Sequence, residues 1–204
     1  MPRLVCRRAV LPVLAADSAA AFWEGRESAS FCDVVSGVAP RQGSRVWTAW
    51  DAEEFRVLIR AEDAHISATL TERDAPLYTE EVVEVFLDPV GDRECYFEIE
   101  VNPLNAVLDL VLRRNRSGTK KDFAWQCENL RTSVRRESAA WSAELAIPFR
   151  SLSAAPPQPG EQWRVNFTRI DRPPGVPREL TAWTPTGCAN FHVPERFGVI
   201  EFFG

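Results

Sequence analysis

The sequence has few lysines and no long apolar run. Lys120 and Lys121 are its only lysines, and the formal net charge is −5 at pH 7. Proteins that bind nucleic acid usually present a basic patch to the phosphate backbone, so we expect no nucleic-acid partner. The longest apolar run near the N-terminus, Ala9 to Ala16, is interrupted by Pro12 and is too short to cross a bilayer. We therefore expect no membrane partner.

The N-terminal region imitates a secretion signal only in part. Three arginines between positions 3 and 8 precede the short apolar run, and three alanines follow it at positions 19–21. The apolar core is minimal, however, and Asp17 lies where the small residues of a cleavage site should begin. We therefore expect a cytoplasmic location in preference to secretion, and we interpret the region as an opening strand of the domain.

Residues for metal, haem or redox chemistry are scarce. The five cysteines are an odd number, and no two of them have the C-x-x-C spacing of zinc or redox sites. Met1 is the only methionine, and the two histidines, His65 and His192, are far apart in the sequence. Nucleophile-elbow, phosphate-loop and dinucleotide-binding motifs are also absent. We predict no cofactor and a surface or capping role for His192. A reducing compartment fits the cysteines best, with one or two disulfides as the alternative if the chain is exported.

Calcium is the one ion that the sequence leaves open. Asp88 and Asp92 flank a turn, and their carboxylate oxygens have the chemistry of calcium ligands. Aspartates are also common in turns because their side chains accept hydrogen bonds from the nearby backbone. We expect the turn-forming role and keep calcium as the alternative.

Short runs of alternating apolar and polar residues, separated by turn residues, predict strands along most of the chain. Two helical turns are predicted at Ala16–Trp23 and Pro148–Leu152, and the proline-rich stretches at 156–159 and 173–177 are predicted loops. The predicted strands are Ser44–Trp50, Phe55–Ala61, Val82–Asp88, Tyr96–Asn102, Ala106–Arg113, Leu130–Arg136, Trp141–Ile147, Arg164–Ile170, Leu180–Trp183 and Phe197–Phe202. We predict a single all-β domain over residues 1–204, an antiparallel β-sandwich of jelly-roll or immunoglobulin-like type with about ten strands.

Several predicted strands place polar residues together on one face, because alternate residues of a strand point to opposite sides. The residues expected opposite the core are Glu84, Phe86, Asp88, Tyr96, Glu98, Glu100, Asn102, Arg164, Asn166 and Thr168. Such a face is either simply solvated or a platform for a polar ligand. Sugars suit a platform of this kind, because carboxylates and amides bind hydroxyl pairs and an aromatic ring covers the apolar C–H face.

Six segments together resemble the carbohydrate-binding module family 9 domains, in particular the stand-alone family 9-like branch. The resemblance extends from about residue 8 to the C-terminus. In chain order the segments are Val46–Asp51 (VWTAWD), Glu81–Pro89 (EVVEVFLDP), Tyr96–Pro103 (YFEIEVNP), Trp141–Phe149 (WSAELAIPF), Trp163–Phe167 (WRVNF) and Pro194–Gly198 (PERFG). The resemblance implies a β-sandwich related to the DOMON-like folds. It also implies a site in which two tryptophans clamp a sugar end and polar residues bind its hydroxyls.

Carried over position by position, the resemblance places Tyr78 and Phe191 where the family has the two clamp tryptophans. The family's hydroxyl-binding glutamate matches Glu84, an arginine of the family's site falls at Glu100, and a glutamine falls near Thr168. Tyrosine and phenylalanine offer less stacking area than indole, and a glutamate in place of an arginine reverses the charge. The resemblance thus implies the fold more strongly than it implies a particular sugar.

These observations predict non-catalytic carbohydrate binding. The expected ligands are sugar ends or oligosaccharides of plant-type polysaccharides, in a context of carbohydrate catabolism. The predicted ligand-binding residues are Tyr78, Glu84, Glu100, Asn102, Thr168 and Phe191. Two alternatives remain open. The first is a small glycoside hydrolase that uses Glu84 and Glu100 as its carboxylate pair to hydrolyse O-glycosyl bonds, and the second is an interaction scaffold that has lost the sugar site.

Overall fold

The computed structural model describes residues 1–14, 19–152 and 155–204. In these ranges the strands are β1 (Arg3–Arg8), β2 (Ala29–Ser30), β3 (Cys32–Asp33), β4 (Ser44–Trp50), β5 (Glu54–Glu62), β6 (Val82–Asp88), β7 (Cys95–Val101), β8 (Val107–Asn115), β9 (Gly118–Asp122), β10 (Arg131–Arg136), β11 (Ala140–Pro148), β12 (Gln162–Asp171), β13 (Glu179–Ala182) and β14 (Gly198–Phe203). Two short α-helices, α1 (Ala19–Trp23) and α2 (Phe149–Leu152), and two 3-10 helices (Leu77–Thr79 and Pro194–Arg196) complete the regular structure. The all-β prediction is confirmed.

All ten strands predicted from alternation are present, each within two residues of its predicted bounds. The predicted helical turn at Ala16–Trp23 is observed as α1 from Ala19 onward, and its first residues lie outside the described ranges. The turn predicted at Pro148–Leu152 is α2, and the proline-rich stretches lie in loops. Within the described ranges, no helix is long and apolar enough to cross a membrane.

Four strands carry no clear alternation and were not predicted where they lie. The opening strand β1 precedes the apolar run of Ala9 to Ala16, instead of containing it. It pairs in parallel with both β14 and β4, so the sheet is mixed and not purely antiparallel. Strand β9 is a mostly exposed partner of β8, formed by the sequence Gly118–Asp122. Its residues are polar, so only pairing with β8 makes it a strand.

One curled sheet carries the strands in the order β10-β11-β5-β4-β1-β14-β12-β6-β7-β8-β9, with β2, β3 and β13 beside this path. The larger core lies between the two halves of that order, because it combines residues of β4, β5 and β11 with residues of β6, β7, β12 and β14. Its largest buried side chains include Trp50, Phe55, Trp141, Trp163 and Phe202. The sheet therefore folds over its own apolar face as a sandwich.

A second, smaller core covers the opposite face of β6, β7 and β8. It contains Phe86 and Tyr96 from the strands, Leu77 from the 3-10 helix before β6, and Phe191 and Phe197 from the chain before β14. The face that the sequence indicated as solvated or as an open platform is therefore buried, and every residue of β6 is buried. Polar residues on this face are enclosed unless a cavity reaches them.

All five cysteines lie in the described ranges and are free. Cys6 and Cys127 are buried, and burial raises the pKa of each thiol to about 12. A thiol with such a pKa is protonated at neutral pH and packs as a small apolar group.

Candidate functional site

A cavity of about 170 Å³ reaches the polar residues of the second face. It lies among β6, β7, β9 and the loops on either side of β13. Its lining residues are Tyr78, Glu84, Glu98, Lys121, Ile170, Arg178, Leu180, Ala189, Asn190, Phe191 and His192. The lining thus combines two aromatic rings with acidic, basic and amide groups.

The two aromatic residues that the sequence singled out both line this cavity, but they differ in burial. Tyr78 is 43% exposed and is anchored by its neighbour Leu77, which is fully buried in the second core. Phe191 is only 7% exposed and packs against Phe86, with ring centroids 6.4 Å apart. Tyr78 therefore has a free ring surface, whereas Phe191 is mainly part of the wall.

Strand register brings the acidic residues together. Glu84 on β6 is directly paired with Glu100 on β7, and Glu98 lies two residues away on the same face of β7. On its other side Glu84 is paired with Thr168 of β12, whose hydroxyl donates a 2.6 Å hydrogen bond to Glu84 Oε2. Like charges in directly paired positions repel. The repulsion between the glutamates must therefore be reduced by bound protons or by a nearby cation.

Burial is the main cause of the shifted pKa values in this group. It raises the pKa of Glu84 to about 8, and the nearby charge of Glu98 adds to the effect. It also raises the pKa of Glu98 to about 7, against the opposing effect of Lys121. The pKa of Glu100 is raised well above its ordinary value, first by burial and then by Glu84 and Glu98. The three carboxyl groups therefore share protons near neutral pH.

Basic and neutral donors line the other side of the cavity. Lys121 Nζ lies 2.8 Å from His192 Nε2, and the Tyr96 hydroxyl lies 3.4 Å from His192 Nδ1. Burial, with a further contribution from Lys121, lowers the pKa of His192 to about 4. His192 is thus neutral at pH 7, and it lines the cavity instead of having the surface or capping role that we expected.

Three of the predicted site residues do not line the cavity. Glu100 and Thr168 are buried directly beside Glu84, as its partners on either side. Asn102 holds the turn between β7 and β8: its Nδ2 donates to the Leu70 carbonyl and its Oδ1 accepts the Ala106 amide. These hydrogen bonds use both polar atoms of the Asn102 side chain. Asn102 therefore stabilises the turn and does not line the cavity.

The aspartates considered for calcium form the hairpin turn between β6 and β7. Asp88 accepts the backbone amides of Gly91 and Arg93, and Asp92 accepts those of Glu94 and Cys95. These hydrogen bonds are the turn-forming role expected from the sequence.

Sequence reasoning did not select four polar residues that line the cavity. Glu98 was placed on the correct face but was not chosen, and Lys121 lies on the unpredicted strand β9. Arg178 and Asn190 lie in loops, where alternation gives no signal. One signal was available, because Lys120 and Lys121 are the only lysines in a chain that otherwise uses arginine.

The geometry also bears on the alternative of a glycoside hydrolase. Glycosidases place two carboxyl groups on either side of the bond that is cleaved. Glu84 lines the cavity, but Glu100 is 1% exposed and lies beside Glu84 on the neighbouring strand. The pair therefore does not face a sugar in the cavity from two sides.

The fold and one family model connect this chain to known proteins. The model described as carbohydrate family 9 binding domain-like matches residues 17–204. A carbohydrate binding module of family 9 from Caldicellulosiruptor kristjanssonii has a similar structure in complex with glucose (TM-score 0.73, 17% identity, covering 100% of this chain and 96% of that chain). Its complex with cellotriose is similar as well (TM-score 0.75, 17% identity, covering 100% and 94%).

A candidate carbohydrate-binding protein of Bacteroides uniformis ATCC 8492 also has this fold, with a TM-score of 0.78, 17% identity and 98% coverage of both chains. At 17% identity these structures show the shared fold alone. No curated protein sequence matches this chain significantly.

Proposed function

The chain belongs to the carbohydrate family 9 binding domain-like family, and from that premise we propose that it binds the end of a sugar chain without cleaving it. The proposed site is the cavity between Tyr78 and Phe191, with Glu84 and Glu98 in its wall. The single observation that carries the proposal is that one cavity combines an exposed aromatic ring with both acidic and basic hydrogen-bonding groups.

The chemistry of this lining suits a pyranose. A sugar ring has an apolar C–H face that stacks on an aromatic side chain and hydroxyls that both donate and accept hydrogen bonds. Tyr78 offers the exposed ring, Glu84 and Glu98 offer acceptors, and Lys121 and Arg178 offer donors. Each exposed hydrogen bond contributes only about 0.5–1.5 kcal/mol net, so we expect modest affinity.

The size of the cavity favours a chain end. Its volume of about 170 Å³ is smaller than the roughly 300–1,000 Å³ of typical ligand pockets. A single sugar residue fits this limit better than an internal stretch of polysaccharide does. The related module of Caldicellulosiruptor kristjanssonii is in complex with glucose and with cellotriose. We therefore propose ends of plant-type β-glucans or xylans as the ligands to test first.

Titration calorimetry with glucose, cellobiose and xylobiose tests the proposal. We expect binding by the unaltered protein and about tenfold weaker binding by Tyr78→Ala, which corresponds to a loss of about 1.4 kcal/mol. Phe123→Ala is the matched control, because Phe123 is 45% exposed and does not line the cavity. If no glycan binds at millimolar concentration, the proposal fails. Release of chromophore from chromogenic glycosides, lost in Glu84→Gln, would instead indicate a hydrolase.

One observation favours a second candidate, a scaffold without a sugar site. Phe191 is almost fully buried against Phe86, so it has little surface left for stacking. A scaffold would bind none of the glycans, and Tyr78→Ala would then change neither glycan binding nor stability.

A further inference from the structure

We propose that Glu84, Glu98 and Glu100 form a binding site for one divalent cation of the size of Ca²⁺ in the inner wall of the cavity. Glu84 and Glu98 line the cavity, and Glu100 is directly paired with Glu84 across the strands. This cluster is separate from the Asp88–Asp92 turn, whose carboxylates are occupied by backbone amides.

The oxygen positions fit one ion. Each of the three residues supplies a carboxylate oxygen, and no two of these oxygens are farther apart than 4.8 Å. Calcium–oxygen distances of about 2.3–2.6 Å allow ligands on opposite sides of one ion to be about 5 Å apart. The corresponding limit for Mg²⁺, with distances of about 2.0–2.1 Å, is roughly 4 Å. The separations therefore stay within the limit for one Ca²⁺ ion, whereas the limit for Mg²⁺ is shorter than the 4.8 Å bound.

Two oxygens of the cluster need a partner. Glu98 Oε2 and Glu100 Oε2 are buried without a hydrogen-bond partner, in residues that are 3% and 1% exposed. Buried polar atoms are nearly always paired, and an unpaired buried carboxylate is costly. Glu98 lines the cavity, so an ion entering from the cavity reaches its carboxylate and supplies the missing partner.

No buried cation among the described residues lies beside the cluster, because Lys121 and Arg178, the two basic residues that line the cavity, are both exposed. Three protein ligands leave several of the six to eight coordination positions of Ca²⁺ open.

Open coordination positions connect the ion to the ligand. Hydroxyl oxygens are hard ligands of the kind that Ca²⁺ prefers, and those of a sugar in the cavity lie next to the ion. This part of the inference rests on the proposed function. It implies that calcium strengthens glycan binding, and that a bound glycan strengthens calcium binding by the same factor.

Calcium titration at pH 8 in the absence of sugar tests the site itself, with calorimetry and the unfolding temperature as readouts. At about 100 times the Kd, calcium should raise Tm by roughly 5–10 °C, and Mg²⁺ should have a smaller effect at equal concentration. Glu98→Gln, which keeps the side-chain shape but removes the charge, should abolish the shift. If that variant does not fold, Glu100→Gln serves the same purpose.

Glu81→Gln is the matched control, because Glu81 is an equally buried acid in the other acidic cluster, Asp63, Glu81 and Asp171. The calcium shift should persist in this variant. Absence of any calcium shift in the unaltered protein, its persistence in Glu98→Gln, or its loss in Glu81→Gln would each overturn the inference.

Glucose titrations in calcium and in EDTA separate this inference from the proposed function. We expect about tenfold weaker glucose binding in EDTA. Calcium binding without any glycan binding would support the cation site and contradict the proposed function. Equal glucose affinity in both buffers, with no calcium shift, would contradict the cation site and support the proposed function.

Discussion

Two buried acidic clusters lie close together in the strand order, and they solve the same electrostatic problem differently. The filled cluster consists of Asp63, Glu81 and Asp171, with Arg169 paired to the two aspartates, and the open cluster consists of Glu84, Glu98 and Glu100. Arg169 is 1% exposed. Its Nη2 lies 3.1 Å from Asp63 Oδ2 and 3.5 Å from Asp171 Oδ1. No buried arginine or lysine occupies the equivalent place in the open cluster among the described residues.

The difference shows what a buried acidic group requires. Carboxylates inside a protein are tolerated when a cation is built into the fold beside them. Where the chain supplies none, protons or an external cation must neutralise the group. The open cluster borders a cavity, so it is the cluster that a ligand can reach.

The largest expected effect comes from removing the cation of the filled cluster. Arg169→Met should lower the free energy of unfolding by about 3–5 kcal/mol, because the buried carboxylates of Asp63 and Asp171 lose their ion-pair partner. Urea unfolding at pH 7 measures the loss. Arg60→Met is the control: its ion pair with Glu137 is exposed on both sides, and its loss should cost about 1 kcal/mol or less. Equal losses in the two variants would contradict the comparison.

A smaller effect should appear in the pH dependence of stability. Burial, with Asp63 adding to it, raises the pKa of Glu81 to about 8 from its ordinary value near 4.5. The folded state therefore binds the Glu81 proton more tightly than the unfolded state does. This contribution to stability is complete below about pH 4.5 and is lost as the pH rises through about 8. Urea unfolding in EDTA between pH 5 and pH 9 measures it.

Glu81→Gln is the variant that isolates this contribution, because it keeps the side-chain shape and cannot ionise. Its stability should decline less between pH 5 and pH 9 than that of the unaltered protein. An unchanged slope would show that other groups cause the pH dependence.

The smallest expected effect comes from the open cluster's own cation. Lys121 is exposed, so Lys121→Met should lower the free energy of unfolding by about 1 kcal/mol or less. If calcium occupies the open cluster, the same variant should bind it more tightly, because a competing positive charge is gone. Urea unfolding and calcium calorimetry measure the two effects. A stability loss as large as that of Arg169→Met would show that Lys121 already compensates the charge of the open cluster, as Arg169 does in the filled cluster.

The candidate site was partly predictable from the sequence. Alternation within Val82–Asp88 and Tyr96–Asn102 placed Glu84, Glu98 and Glu100 on one face, and strand register does bring them together. The family resemblance selected Tyr78 and Phe191, and both line the cavity. Asn102 was selected by the same alternation. Its side chain instead holds the turn after β7, because an amide at a strand end can bind the adjacent backbone.

By itself the sequence determined ten of the described strands and which of their residues share each face, because a strand's side chains alternate with a period of two whatever surrounds it. Only the tertiary structure decided which faces are covered. The chain around Leu77 and the chain before β14 close over the second face, bury Phe191, and bring Lys121 and His192 beside the glutamates. Contacts between segments so distant in sequence depend on packing of the whole chain, which no local pattern encodes.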